Sequence, residues 1–176
     1  TGAMLGTALP AEVQAQSSMH NGTFSVLEFG AIGDGNADDT EAFQKAITAA
    51  TKLPNGRSVV VPGGTYRITS PLTLKSTLLL GLAAGGWPAD SRPLPTLRVD
   101  VPAPQPCIIA DVGASLHGLC FDFFYKDDPK REFGPCIQLK AGGVSLTNLL
   151  LHNPTEGIMW DGSSNIGRLN LENVFI

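Results

Sequence analysis

Two spacings of apolar residues follow one another along the chain, and each is typical of a different element. From Ala42 to Ala50, apolar residues recur every three or four positions, as on one face of an amphipathic helix. In the later part, short runs such as CIIAD, CIQLK and GIMWD have an apolar residue at every second position. The sequence therefore predicts one helix near the N-terminus, followed by short strands.

The predicted helix begins after an acidic stretch, FGAIGDGNADDTEAFQKAI. The Gly33-Asp34-Gly35 segment predicts a turn, because glycine accepts a positive φ and aspartate bonds to nearby amides. We predict Asp38 as the N-cap of the helix and Glu41 as the second half of a capping box. The Asn55-Gly56 pair is expected to end the helix.

An EF-hand loop is the alternative interpretation of this acidic stretch. Such a loop requires glycine at its sixth position and a bidentate carboxylate at its twelfth. Counted from Asp34, these positions hold Asp39 and Lys45. We therefore predict a helix start here and no metal site.

Three later segments share one six-residue template. Positions one, four and six are apolar, position three is Gly or Asn, and positions two and five hold any residue. The third position suits a bend, since glycine and asparagine tolerate left-handed backbone conformations. Asparagines stacked at this position in successive coils are also expected to hydrogen-bond to one another. The segments are LHGLCF (116–121), LTNLLL (146–151) and LENVFI (171–176).

The second set of predicted strands precedes these segments and has the same register in each repeat. Alternation predicts inward-pointing side chains at two positions of each strand, namely Ile108, Ala110, Ile137, Leu139, Ile158 and Trp160. The outward-pointing positions are then Cys107, Ile109, Asp111, Cys136, Gln138, Lys140, Gly157, Met159 and Asp161.

Composition narrows the class of protein. Among 176 residues there are 20 glycines and 13 prolines, while only 16% are charged, which favours strands and turns. A net charge of −4 provides no basic surface for nucleic acid, and no apolar run is long enough to span a membrane. Three cysteines match neither a zinc motif nor a disulfide framework, and we expect free thiols even where Cys107 and Cys136 stack.

The acidic stretch and the following VVVPGGTYRITSPLTL together resemble the N-terminal segment of the pectate lyase superfamily, closest to its glycoside hydrolase family 28-related and pectate-lyase-3 group. The likeness covers Phe24 to Gly81. It implies an all-β, right-handed parallel β-helix, a solenoid whose open N-terminal end is capped by the α-helix. It leaves the chemistry open, because hydrolases, lyases, epimerases and phage tailspikes share this segment.

The two ends of the chain carry separate expectations. We assign residues 1–22 to an expression-tag remnant and a disordered leader, and residues 23–176 to the cap and first coils of the β-helix. The LGTALPAEVQAQ stretch is similar to the end of a signal peptide, which favours a secreted or periplasmic protein. The final coil has no polar cap, so the sequence predicts a truncated fragment that self-associates end to end.

One candidate site is a charged column. Asp111, Lys140 and Asp161 share one outward position on three successive coils, which adjacent strands would place about 4.8 Å apart. The simpler interpretation is an exposed stack of compensating charges. The functional interpretation makes Asp111 and Asp161 the candidate catalytic carboxylates and Lys140 a substrate-binding residue, although Lys140 would disfavour a protonated acid.

The other candidate is the long loop from Asp122 to Pro135, DFFYKDDPKREFGP, in which Phe124, Tyr125 and Arg131 are candidate substrate-binding residues. The alternative is that its aromatic residues fold back onto the coil. His117 and His152 are lone histidines at exposed positions, for which a ligand role is disfavoured.

These observations lead to two hypotheses of function. The first is the N-terminal part of a secreted polysaccharide hydrolase or lyase whose catalytic coils lie beyond residue 176. The family 28 motifs Asn-Thr-Asp and Gly-His-Gly are absent, and no cofactor or calcium site is predicted in this stretch. The second is a non-catalytic β-helix that binds glycans or serves as a scaffold, like a tailspike stem.

Overall fold

A computed structural model describes residues 22–53, 58–82, 94–125 and 130–176. A 3-10 helix spans Val26–Phe29, and helix α1 spans Thr40–Thr51. The strands are β1 (Thr23–Ser25), β2 (Asp34–Asp38), β3 (Ser58–Val61), β4 (Thr65–Ile68), β5 (Leu72–Leu74), β6 (Leu78–Gly81), β7 (Thr96–Val99), β8 (Ile108–Ala110), β9 (Ser115–Phe123), β10 (Pro135–Leu139), β11 (Val144–His152), β12 (Glu156–Trp160) and β13 (Leu169–Phe175).

The strands stack in parallel on three outward faces. The first face contains β1, β3 and β6 with the first halves of β9, β11 and β13, and the second contains β2, β4 and β7 with the second halves of the same three strands. The third face is a separate four-stranded sheet of β5, β8, β10 and β12. This arrangement is the predicted parallel β-helix.

The bend between the first and second faces lies at the template position that the sequence indicated. Gly118, Asn148 and Asn173 have φ values of 68°, 52° and 51°, in the left-handed region. The amide of Asn173 donates to Asn148 Oδ1 at 3.0 Å, so the predicted hydrogen bond between stacked asparagines is confirmed. At Gly118 a side chain would not fit easily, since a Cβ there would lie 3.0 Å from the carbonyl oxygen of Gly81.

Helix α1 covers one end of the apolar interior. Its apolar stripe is buried as predicted, and the helix packs on β1, β3 and β5. Phe43 makes an edge-on contact with Tyr66, with 5.2 Å between the ring centroids. The remaining core lies between the three faces. Its largest fully buried side chains include Phe121, Ile68, Leu72, Leu79, Leu97, Ile108, Leu116 and Leu119.

The start of α1 differs from the prediction. Asp39, not Asp38, is the N-cap residue, and its buried carboxylate turns away from the helix to accept the amides of Ile32 (2.6 Å) and Gly33 (3.3 Å). Asp38 does accept the first-turn amide of Thr40 at 3.0 Å. The predicted capping box with Glu41 is wrong, because Glu41 pairs with Lys45 one turn along the helix. A capping box does form between Ser25 and Glu28, at the start of the 3-10 helix.

The acidic stretch has a second role that the sequence did not indicate. Asp34–Asp38 forms strand β2 beside β4, with an irregularity between the two ends of the pairing. The predicted turn is confirmed, since Gly33 and Gly35 have positive φ values of 72° and 78° and Asp34 accepts the amides of Asn36 and Ala37.

Burial confirms the alternation predicted for the third face at four inward positions, while the exposure of three other residues differs from what their predicted direction suggested. Ile108, Ala110, Ile137 and Leu139 are buried. Cys107 and Cys136 were predicted to point outward and were expected to be accessible, but both are buried. Trp160 was predicted inward but is 51% exposed at the edge of the sheet, and its indole donates to Ser164 O.

The predicted long loop is shorter than the sequence indicated. Asp122 belongs to β9 and Pro135 to β10, so the connection runs from Phe124 to Gly134. The leader assigned to residues 1–22, apart from Gly22, and the predicted helix stop at Asn55-Gly56 lie outside the described residues; α1 itself ends at Thr51. Within the described ranges, no helix is long and apolar enough to cross a membrane.

Candidate functional site

The charged column predicted on the third face has the expected register and one more member. β10 pairs Leu139 with Ala110 and Trp160, which places Lys140 level with Asp111 and Asp161. Lys75 extends the column by one coil, and its Nζ lies 3.8 Å from Asp111 Oδ2. Lys75 was not predicted as a member of the column, although its position two residues after Thr73 matches that of Asp111 after Ile109.

The two carboxylates of this column have different surroundings. Asp161 accepts hydrogen bonds from the hydroxyl and amide of Ser163, at 2.6 and 2.9 Å. These bonds, with a smaller contribution from Lys140, hold the pKa of Asp161 below its usual value. A carboxyl with a lowered pKa is ionised at neutral pH and is unsuited to donating a proton. The column is therefore better suited to binding than to acid catalysis.

The three candidate residues of the loop all contact the body of the coil. Phe124 lies beneath the guanidinium of Arg98, and Tyr125 packs edge-on against Phe133 with 5.0 Å between centroids. Arg131 pairs with Asp100 at 2.5 Å and also lies over the ring of Phe133. This is the alternative in which the aromatic residues fold back. Of the three, Tyr125 keeps a hydroxyl near the surface, 3.2 Å from that of Thr155.

A second column, which the sequence analysis missed, runs along the second face. Arg67, Arg98, Asp122 and His152 are consecutive Cα partners on β4, β7, β9 and β11. His152 is not the lone histidine that was predicted, because its Nδ1 donates to Asp122 Oδ1 at 2.9 Å. Period-two alternation after the bend at Gly118 and Asn148 predicts these outward positions, so the signal was present in the sequence.

Asp100 joins two arginines of this surface. Its Oδ2 accepts a hydrogen bond from Arg67 Nε at 2.7 Å and lies 2.6 Å from Arg67 Nη2. Its Oδ1 forms an ion pair with Arg131. The Asp100 side chain is only 14% exposed. A largely buried carboxylate needs such partners, because an unpaired one would pay its full desolvation cost. Asp100 therefore ties the loop after β9 to β4.

The first face has a shallow groove of about 360 Å³, lined by Leu78, Leu80, Ser115, His117, Ser145 and Thr147. His117 is also not lone: its Nδ1 lies 2.7 Å from the Thr147 hydroxyl and its Nε2 lies 3.4 Å from the Asn148 amide nitrogen. The Asn148 oxygen accepts from Asn173, which leaves its NH₂ to donate to Nε2. Nδ1 must then carry the proton and donate to Thr147.

Because Nδ1 of His117 carries the proton, this histidine cannot accept the hydroxyl proton of Thr147 through that nitrogen. A histidine that activates a hydroxyl nucleophile must accept the hydroxyl proton. His117 instead donates to Thr147, and its accepting nitrogen is engaged by Asn148. The arrangement supports the bend and presents hydroxyl and apolar groups to solvent. It is not a nucleophile–base pair.

Among the described residues, no group of three histidine, cysteine or acidic side chains is placed to hold an ion. The cysteines are unpaired in the structure, and burial raises the pKa of Cys107 to about 12. A buried thiol with a raised pKa is a poor ligand and nucleophile.

The chain is a parallel β-helix solenoid. Its parallel strands stack into faces that meet at bends, and helix α1 caps its N-terminal end. Residues 23–88 match a family model described as rhamnogalacturonase A/epimerase, pectate lyase-like. Together with the relatives described next, this match shows that the N-terminal part of the chain is similar to pectate lyase-like parallel β-helix proteins.

Two curated relatives and one solved structure illustrate the range of this superfamily. The chain is 42% identical to mannuronan C5-epimerase AlgE3 of Azotobacter vinelandii over 64 residues, covering 32% of this chain and 3% of the epimerase. It is 33% identical to the tail spike protein of Shigella phage Sf6 over 81 residues, covering 44% of this chain and 13% of the spike. The Geobacillus virus E2 ORF18 structure shares the fold, with a TM-score of 0.50 and 21% identity over 78% of this chain and 26% of that one.

Proposed function

We propose that this chain is the N-terminal part of a secreted β-helix protein that binds a polysaccharide along its outward faces and acts on it through coils beyond residue 176. The observation that carries the proposal is the register of the faces, which stacks polar and charged side chains in columns along the solenoid. A repeating array of this kind suits a repeating polymer. The relatedness to an epimerase of mannuronan supports a carbohydrate ligand.

The described faces themselves favour binding over catalysis. Asp161 is held ionised, His117 donates to Thr147, and Asp111 faces Lys75. A general acid or base would need a titratable group that is free to exchange its proton with the substrate. Hydrolase, lyase and epimerase chemistry therefore belong to the longer protein in this proposal.

The experiment compares this chain with its longer parent protein on a panel of neutral and acidic polysaccharides. Binding is followed by affinity electrophoresis, lyase products by the ultraviolet absorbance of unsaturated ends, hydrolase products by reducing ends, and epimerisation by proton NMR. We expect this chain to bind and only the longer protein to convert its substrate. Turnover by this chain alone would refute the placement of the catalytic coils, and absence of binding by either protein would refute the proposal.

A scaffold that adheres to glycans without converting them is the second candidate. The similarity to a phage tail spike, which its name describes as part of a phage tail, is the observation that favours a scaffold. The same panel separates the two candidates. Binding by both proteins with no product from either supports the scaffold.

A further inference from the structure

Three polar side chains at the bend between the first and second faces form one hydrogen-bonded row, which we call the bend row. His117 Nε2 lies 3.4 Å from Asn148 Nδ2, and the Asn173 amide donates to Asn148 Oδ1 at 3.0 Å. These residues lie on β9, β11 and β13, which are neighbours in the sheet. The bend row therefore connects three successive coils through side chains alone.

The bonds of the bend row all run in one direction while His117 is neutral. Asn173 donates to Asn148, and Asn148 donates to Nε2 of His117, which accepts through its lone pair. Nδ1 of the same ring carries the proton and donates to the Thr147 hydroxyl at 2.7 Å. Since the nitrogen of the Asn173 amide faces Asn148, its oxygen faces away. The outer end of the row thus presents an acceptor.

The surroundings of His117 leave its ring open to a proton from solvent. The side chain is half-buried and lines the groove of the first face, where every other lining residue is uncharged. Within the described strands of this face, the charged residue is Glu172, the Cα partner of Thr147 and two strand spacings, about 9.6 Å, from His117; Arg168 lies just before β13. Histidine side chains commonly change charge between about pH 5 and pH 8.

A proton on Nε2 is incompatible with the present direction of the bend row. Nε2–H and the Asn148 NH₂ group would both be donors, and two donors form no hydrogen bond. A half-turn of the Asn148 amide brings its oxygen to Nε2–H, where it accepts a charge-assisted hydrogen bond. Its NH₂ group then faces Asn173, whose amide must also turn so that its oxygen accepts. The bond from Nδ1–H to Thr147 is the same in both states, which keeps the ring in place.

We propose that the bend row is a pH-sensitive switch. One proton taken from solvent by Nε2 of His117 reverses the hydrogen bonds from β9 to β13 and changes the outer end of the row from an acceptor to a donor. No covalent bond is broken, and the proton stays on the ring. The proposal is independent of the proposed function, because it concerns contacts within the solenoid only.

The test is NMR spectroscopy of the isotope-labelled full chain at about pH 8 and about pH 5. At the higher pH, long-range proton–nitrogen spectra should show a protonated Nδ1 and a bare Nε2 in His117. Nuclear Overhauser effects should connect the Asn148 amide protons to the ring. At the lower pH both ring nitrogens should carry protons, and these effects should weaken as the amide turns. The side-chain amide signals of Asn148 and Asn173 should shift with the same midpoint as the ring.

Three variants assign the response to the bend row. His117→Gln removes the titrating ring and should abolish the pH response of both amides. Asn148→Gly removes the middle amide and suits the left-handed backbone at this position, so His117 should still titrate while Asn173 no longer responds. The matched control His152→Gln removes the histidine of the second face and should leave the response of Asn148 and Asn173 unchanged.

Several results would overturn the switch. A protonated Nε2 at the higher pH would contradict the direction of the row, and amide signals that do not follow the His117 ring would contradict its reversal. A response that persists in the His117→Gln protein, or at Asn173 in the Asn148→Gly protein, would do the same, as would its loss in the His152→Gln protein. Circular dichroism shows which variants are folded, and Asn148→Gly decides the matter if His117→Gln is not.

Discussion

Equivalent positions in the middle coils and in the last coil have the same sequence pattern and very different exposure. Leu116 and Leu146 are 1% and 0% exposed, whereas Leu171, their partner on β13, is 50% exposed. Likewise, Ala110 and Leu139 are buried while Trp160 is 51% exposed. The pattern within a strand determines where a side chain points, but the coil stacked above it determines whether that side chain is buried.

Truncation of equivalent leucines should give the largest effect. Leu146→Ala removes a side chain enclosed on all sides and should lower the free energy of unfolding by about 2–5 kcal/mol. Leu171→Ala should lower it by about 1 kcal/mol or less, because water already reaches that side chain. Urea denaturation followed by circular dichroism measures both. Equal losses would show that the last coil is as well packed as the interior.

At the N-terminal end of the solenoid, the buried carboxylate of Asp39 allows a similar test with a polar side chain. Asp39→Ala removes a carboxylate that is 1% exposed and leaves the amides of Ile32 and Gly33 without their acceptor. We expect a loss of about 1–3 kcal/mol in the free energy of unfolding.

Glu41→Ala is the matched control for Asp39→Ala, two residues away. It breaks only the exposed pair with Lys45, whose side chains are 58% and 81% exposed for lysine and glutamate respectively. The expected loss is about 0.3–0.5 kcal/mol. A similar loss from both variants would contradict the structural role that we assign to Asp39.

The exposed apolar residues of the last coil should also make this chain self-associate. Leu171, Phe175 and Ile176 are 50%, 48% and 71% exposed on β13 and just after it. Light scattering coupled to size-exclusion chromatography should show an average mass that rises with protein concentration, and Leu171→Lys with Ile176→Lys should reduce the rise. A concentration-independent monomer mass for the unsubstituted chain would refute this expectation.

The reactivity of the thiols tests whether the cysteines of the inner coils are as buried as the leucines. Burial raises the pKa of Cys107 to about 12, that of Cys120 to about 11 and that of Cys136 well above its usual value. The reactive thiolate is therefore scarce at pH 8 in the folded chain, and its fraction increases only as the pH approaches these values. A disulfide-exchange reagent should label the native chain slowly and all three cysteines rapidly in denaturant. Rapid labelling of the native chain at pH 8 would contradict this burial.

Much of the architecture could be predicted from the chain because its determinants are local. The helical stripe from Ala42 to Ala50 and the bends at Gly118, Asn148 and Asn173 depend on residue type and spacing. The helix cap was misjudged because Asp38 and Asp39 are both suitable caps. Only the folded position of the Ile32 and Gly33 amides decides which carboxylate turns away from the helix.

The candidate sites were less predictable because they depend on which coils become neighbours. The register of the third-face column was predicted because its members lie at the same position of one repeated strand. The second-face column joins β4 and β7 to β9 and β11 across turns of different length. Alternation alone likewise did not predict that Cys107 and Cys136 are buried.

The bend also has a consequence for how such a chain can change in length. His117 and its partner Thr147 are 30 residues apart, whereas Ser145 and its partner Asn170 are 25 apart, yet both pairs meet in register. The difference is accommodated in the turns, since Gly118, Asn148 and Asn173 keep the corners aligned. The connecting turns can therefore tolerate insertions and deletions of several residues while the stacked strands keep their alignment.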